Sequence, residues 1–102
     1  MELKIKLNGK IYRAASPKAK VWRSVIKFDE IRTDLKTEDF IEAHAGIIAE
    51  AFAVPEVTTD AILDNLNIDE IVPLYFETFR WICELLNRKL KKIPNEETPT
   101  KE

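Results

Sequence analysis

The side chains able to do chemistry in this sequence are few. There is one histidine, His44, one cysteine, Cys83, and a series of carboxylates at Glu56, Asp60, Asp64, Asp69 and Glu70. Such groups can supply a general base, a thiolate nucleophile or a cation-binding loop. Their spacing supports none of these. The carboxylates lack the D-x-D-x-D-G order and turn glycine of a calcium loop, and they fall where helices are expected to begin. No H-x-x-H or C-x-x-C pair offers a zinc site. With two glycines in the whole chain there is no glycine-rich loop to cradle a phosphate. No catalytic residue, cofactor-binding residue or metal ligand is assigned, and the chain is read as non-enzymatic. His44 and Cys83 both fall on apolar stripes of helical period. They are read as a hydrogen-bonded core histidine and a buried small hydrophobe.

The element around which the others are organised is residues 67–92, NIDEIVPLYFETFRWICELLNRKLKK, a helix about 37 Å long at 1.5 Å per residue. Asn67 and Glu70 form a capping-box pattern at its start. Asp69 and Glu70 suit its positive end, and Arg88, Lys89, Lys91 and Lys92 its negative end. Pro73 follows the first turn and Pro94 marks the stop. A main apolar stripe runs through Ile68, Ile71, Val72, Tyr75, Phe79, Ile82, Cys83, Leu86, Leu90 and Ile93. A second row, Leu74, Thr78, Trp81 and Leu85, lies beside it. Together they cover roughly 220° of the helix, well beyond the ~100° stripe of a surface helix. The main stripe is therefore expected to pack inside the domain. The second row, Leu74, Trp81 and Leu85, needs cover as well: either the rest of the chain wraps it or a partner does part of the covering. It is the candidate partner-docking surface.

The other elements follow from local patterning. Leu3, Ile5 and Leu7 alternate with charged residues, Asn8-Gly9 supplies a type I′ turn, and a second strand runs from Lys10 to Ala14. In that register Leu7 faces Lys10, Ile5 faces Tyr12, and Lys4 faces Arg13 as a like-charge pair. Ser16-Pro17 is expected to cap and open a helix that ends near Arg32. Thr37 caps the next, which reaches Phe52 with the small residues Ala43, Ala45, Gly46 and Ala49 available for close helix approach. Thr58 or Thr59 starts a short helix to Leu66. The expectation is one α+β domain over residues 1–93, an N-terminal β-hairpin followed by about four helices with the last long and central. Residues 94–102 carry no apolar anchor and are read as a disordered tail.

At 102 residues, 45% hydrophobic and 33% charged, the composition is that of a soluble globular domain. No apolar run approaches a membrane span, and MELKIKLNGK alternates where a signal peptide would be apolar. A single cysteine points to an intracellular setting. The net charge of −2 conceals segregation: residues 1–36 hold ten Lys/Arg against four Asp/Glu, and residues 37–79 hold ten acids and no Lys or Arg. Two arrangements satisfy this pattern. Either basic and acidic segments pair within one domain, or a basic surface (Lys20, Arg23, Lys27) meets an acidic one (Glu42, Glu50, Asp60, Asp64) on a neighbouring copy, closing a ring or continuing a spiral. The basic helix interleaves aromatics, but its spacing fits a core-facing amphipathic helix and the isoelectric point is near 5.5, so nucleic acid is not an expected partner.

Three stretches carry a resemblance. They are the opening strand with LNGK and Tyr12, the helix KAKVWRSVIKFDE, and VTTDAILDNLNIDEIVPLYFETF, in which a Thr-led short helix runs into D-E-I-V-P. In this order, over roughly residues 3–92, the chain resembles the tail assembly chaperones of long-tailed bacteriophages and prophages of Gram-positive bacteria. The resemblance lies in hydrophobic positions and turns, and it transfers no functional residue. It implies a protein of the host bacterial cytoplasm that holds the tape-measure protein soluble, brings tail-tube subunits to it, and leaves before the tail is complete. The competing expectation is a neck, connector or adaptor protein that stays in the particle.

Overall fold

Asn8 and Gly9 both adopt positive φ, 52° and 77°, which is the backbone of the type I′ turn that their side chains favour. The turn joins β1 (Lys4–Leu7) to β2 (Lys10–Arg13) in an antiparallel pair with the expected register, Leu7 opposite Lys10, Ile5 opposite Tyr12 and Lys4 opposite Arg13. Leu3, Ile5 and Leu7 are buried on one face, while Lys4, Lys6, Ile11 and Arg13 lie exposed on the other. Arg13 escapes the like charge opposite it by pairing with Glu2 at 3.0 Å, an exposed contact worth little on its own. The computed structural model describes residues 2–91, with side chains through Arg88. The expected tail, 94–102, lies outside the described residues, as do the stripe positions Leu90 and Ile93 as side chains.

Four helices follow, α1 (Lys20–Ile31), α2 (Thr37–Phe52), α3 (Thr59–Asn65) and α4 (Ile68–Lys91), with a 3-10 turn at Arg32–Asp34 between the first two. This is the α+β architecture expected, a hairpin and then four helices with the last long. Two starts differ from expectation. Helix α1 begins at Lys20 and not at Pro17, because the Ala14 N–H donates to the Leu3 carbonyl and the Ala15 N–H to the Phe52 carbonyl, each at 2.9 Å. Those bonds hold the chain extended past Ser16, whose hydroxyl caps nothing. Thr37 is the first residue of α2 and not its cap; Lys36 occupies the cap without a side-chain bond. The remaining starts follow their side chains. Thr58 Oγ1 accepts the Ala61 N–H at 3.1 Å, and Glu70 Oε1 accepts the Asn67 N–H at 2.7 Å, the return half of the capping box.

The core forms where α2 crosses α4 under the hairpin. Ala45, Ile48, Ala51 and Phe52 of α2 are fully buried, and α4 contributes Ile71, Tyr75, Trp81 and Ile82. On α4 the covered face is not the one expected. Ile71, Tyr75, Thr78, Trp81 and Ile82 are buried and span about 120° at 100° per residue, centred between the two apolar rows. The main stripe is left open toward the two ends of the helix, with Ile68 76% exposed and Leu86 40%, and Cys83 at its margin is half-buried. Helix α1 reaches α4 through rings, Trp22 stacking on Phe79 at 6.3 Å and Phe28 meeting Tyr75 edge-on at 5.4 Å. Beyond Ile82 the cover over α4 thins, with Leu85 half-buried and Leu86 exposed, so its apolar surface runs on past the core.

Candidate protein-binding groove

Where α4 outruns its cover, an open groove of about 600 Å³ forms. One wall is residues 14–19, tied down at Ala14 and Ala15 by the two backbone bonds that delay α1 and turning at Lys18–Ala19, together with Val21 and Trp22 of the first helical turn. The other is α4 itself, through Trp81, Ile82, Leu85 and Leu86. The lining is overwhelmingly apolar, with Lys18 its one charged residue. A groove of this kind recognises apolar side chains by shape and desolvation.

The structure divides the row that the sequence singled out for docking. Trp81 is 6% exposed and belongs to the core, a correction to its expected place on an open surface; it forms the floor of the groove more than its rim. Its burial follows from geometry, since at 100° per residue Trp81 turns with Leu74, Thr78 and Leu85 toward the side on which the core lies. Leu85 is half-buried in the groove wall. Leu74 is half-buried elsewhere, in a second cleft beside the hairpin. Leu86, expected in the core, is the one large apolar side chain of the groove that is exposed. Trp22, Val21 and Pro17 were not anticipated as lining. Their signal was present in Ala14-Ala15-Ser16-Pro17, which reads equally as a helix start or as an extended strap.

The charged positions are placed as follows. Lys20, Arg23 and Lys27 are exposed along one face of α1, and Asp60 and Asp64 are exposed one turn apart on α3. None of the five makes an ion pair with a described residue. Glu50 separates from the acidic set, because its Oε2 accepts the Ser24 Oγ–H at 3.0 Å. Ser24 lies between Lys20 and Lys27 on α1, so this carboxylate sits beside the basic face and not with Asp60 and Asp64.

His44 and Tyr75 are engaged in structure. His44 is fully buried, with Nδ1 2.7 Å from the Phe40 carbonyl and Nε2 accepting the Arg32 Nε–H at 3.2 Å. A carbonyl only accepts, so Nδ1 carries the proton and the ring is neutral. Burial holds the His44 pKa below its ordinary value; the bond to Phe40 opposes this and the Arg32 charge adds to it. The Tyr75 hydroxyl donates to Asp29 Oδ1 at 3.1 Å, and burial, that bond and the Asp29 charge push its pKa up to about 12 against the pull of Arg32. Arg32 closes the cluster, its guanidinium 4.7 Å from the Phe76 ring centre and 5.4 Å from that of Tyr75. Among the described residues no three His, Cys, Asp or Glu side chains converge on a metal position, and no described helix is long and apolar enough to cross a membrane.

The chain matches no family model, no curated protein and no solved structure.

Proposed function

We propose that this protein is a non-enzymatic tail assembly chaperone of a bacteriophage or prophage, acting in the host cytoplasm. The observation that supports this reading best is the groove at residues 81–86 of α4, where an apolar surface that includes the exposed Leu86 stays open beside a well-packed core. Its proposed occupant is an apolar helical stripe of the tape-measure protein, whose exposed side chains would otherwise aggregate. The groove shields them, while Lys18 at its edge and the charged outer faces keep the complex in solution. Recruitment of the tail-tube protein belongs to the same proposal and rests on the family resemblance. So does a homo-oligomer, in which the Lys20, Arg23 and Lys27 face of one copy meets the Asp60 and Asp64 face of the next.

The test is co-expression with fragments of the tape-measure protein encoded beside this gene. The wild-type chain keeps a fragment soluble and co-purifies with it, whereas Leu86→Lys does neither while melting at an unchanged temperature. The protein is absent from purified particles. Stoichiometric recovery from virions would instead make it a neck or connector component.

A further inference from the structure

The outer edge of β1 combines unpaired backbone groups with an open cleft. In a hairpin closed by a two-residue turn, the residues that exchange bonds with the partner strand alternate. Leu7–Lys10 and Ile5–Tyr12 are such pairs in this register, and the sequence continues in the Ala14 N–H bond to the Leu3 carbonyl. The N–H and C=O groups of Lys4 and Lys6 therefore point away from β2, and no described residue bonds them. One step further along the same edge, the Asn8 N–H is taken by Asn65 Oδ1 at 2.8 Å. The edge is thus paired at Asn8 and open at Lys6 and Lys4.

That open part faces a cleft of about 690 Å³, with Lys4, Ile5 and Lys6 on one wall and Pro73, Leu74 and Glu77 of α4 on the other. Pro73 has no N–H, so the Asp69 carbonyl one turn earlier lacks its usual helical donor. We propose that this edge is a strand-addition site for an extended segment of a partner protein in which acidic and apolar residues alternate. The main chain of the segment pairs with Lys4 and Lys6 at the ordinary strand spacing of about 4.8 Å. Its inward side chains join Ile5, Leu66 and Leu74. Its outward side chains lie beside the ammonium groups of Lys4 and Lys6, neither of which has an ion-pair partner among the described residues.

The carboxylates of Asp69, Glu70 and Glu77 favour the opposite charge, but they stand across the cleft with the incoming strand between, and Glu70 is engaged by the Asn67 N–H. Neighbouring outward positions on paired strands are about 5 Å apart, so the lysines decide. The same lysines guard the edge against indiscriminate pairing. A second copy offering its own β1 would set lysine against lysine. The proposal depends neither on the groove nor on the tail-assembly reading.

The experiment uses the full chain, labelled with ¹⁵N, and two capped hexapeptides, Glu-Val-Glu-Val-Glu-Val and its counterpart with Lys for Glu. The acidic peptide shifts the Lys4 and Lys6 amides, slows their hydrogen exchange, and binds about tenfold more tightly than the basic one. Lys6→Pro removes an outward donor while sparing the ladder to β2, and weakens binding about tenfold; Lys6→Thr keeps the donor and loses less. Shifts that map away from β1, equal or tighter binding of the basic peptide, or an unweakened Lys6→Pro chain would each overturn the proposal. So would a peptide-free dimer that Lys6→Pro dissociates, which would assign the edge to a second copy. Should Lys6→Pro not fold, protection of the two amides in the wild-type chain decides alone.

Discussion

Arg32 Nε–H points at His44 Nε2 from 3.2 Å, so the one histidine is bonded at both ring nitrogens only while it is neutral. Protonation would set a second N–H against the guanidinium inside the core. The linkage sign follows: a folded-state pKa below the unfolded value means that the unfolded chain binds more protons across that window. Stability is complete above the ordinary histidine pKa and declines as pH falls below it. Chemical denaturation at pH 7.5, 6.5 and 5.5 should give falling midpoints for the wild type and a flatter series for His44→Gln. Parallel series would remove His44 as the cause. Tyr75 acts at the other extreme, its raised pKa stabilising the fold below pH 10 and ceasing to do so as pH passes about 12.

Asn65 binds the hairpin to the helices with two bonds, accepting the Asn8 amide and donating from Nδ2 to the Ala61 carbonyl, each at 2.8 Å. Asn65→Ala should cost about 1–2 kcal/mol, since both groups are only partly shielded from water. The Asn8 amide should exchange markedly faster than those of α2. Unchanged exchange at Asn8 would mean that the turn holds itself.

Helix α2 carries its glycine in the interior and an alanine at its left-handed cap. A Cβ on Gly46 would meet Thr59 Oγ1 at 3.7 Å, an ordinary contact, so Gly46→Ala should stabilise by about 0.5–1 kcal/mol. Ala53 ends the helix at φ 55°, and Ala53→Gly should stabilise by about 1 kcal/mol through relief of that strain. The two sites are independent enough for the gains to add. Thermal melts of both single variants and the double would check this, and a loss at Gly46 would show that α2 and α3 cannot accommodate one methyl group.

Much of this fold could be read from residues near one another in the chain. Asn8-Gly9 specified the turn and thereby the register of β1 on β2, and the 3.6-residue periods located α2 and α4. What could not be read is which part of an over-apolar helix its neighbours cover. Periodicity places Trp81 and Leu86 on adjacent rows, but the sides they face depend on where α1 and α2 lie, and on two backbone bonds that anchor Ala14 and Ala15. The roles consequently exchange. Trp81→Ala should cost about 3–5 kcal/mol as a core truncation, and Leu86→Ala under about 1 kcal/mol while lowering partner solubilisation. A melt of each variant beside a co-expression assay separates them. Normal stability for Trp81→Ala would return that side chain to the surface.

Lys20, Arg23 and Lys27 on one helix, and Asp60 and Asp64 on another, are exposed and find no partner among the described residues. Such patches repel their own kind and attract each other, so contact between copies is heterologous and propagates or closes. Glu50, drawn to Ser24, and Glu30, on the same face of α1, temper the basic face from within the molecule. Attraction between exposed charges fades as the Debye length shrinks from ~10 Å at 0.1 M salt to ~3 Å at 1 M. Light scattering should therefore find assemblies at low salt that dissociate towards 1 M. Reversing Lys20 and Arg23 to Glu should abolish them, and adding Asp60→Lys with Asp64→Lys should partly restore them. A monomer at every salt concentration would mean that these faces serve solubility alone, and the groove at Leu86 would then have to hold its partner one copy at a time.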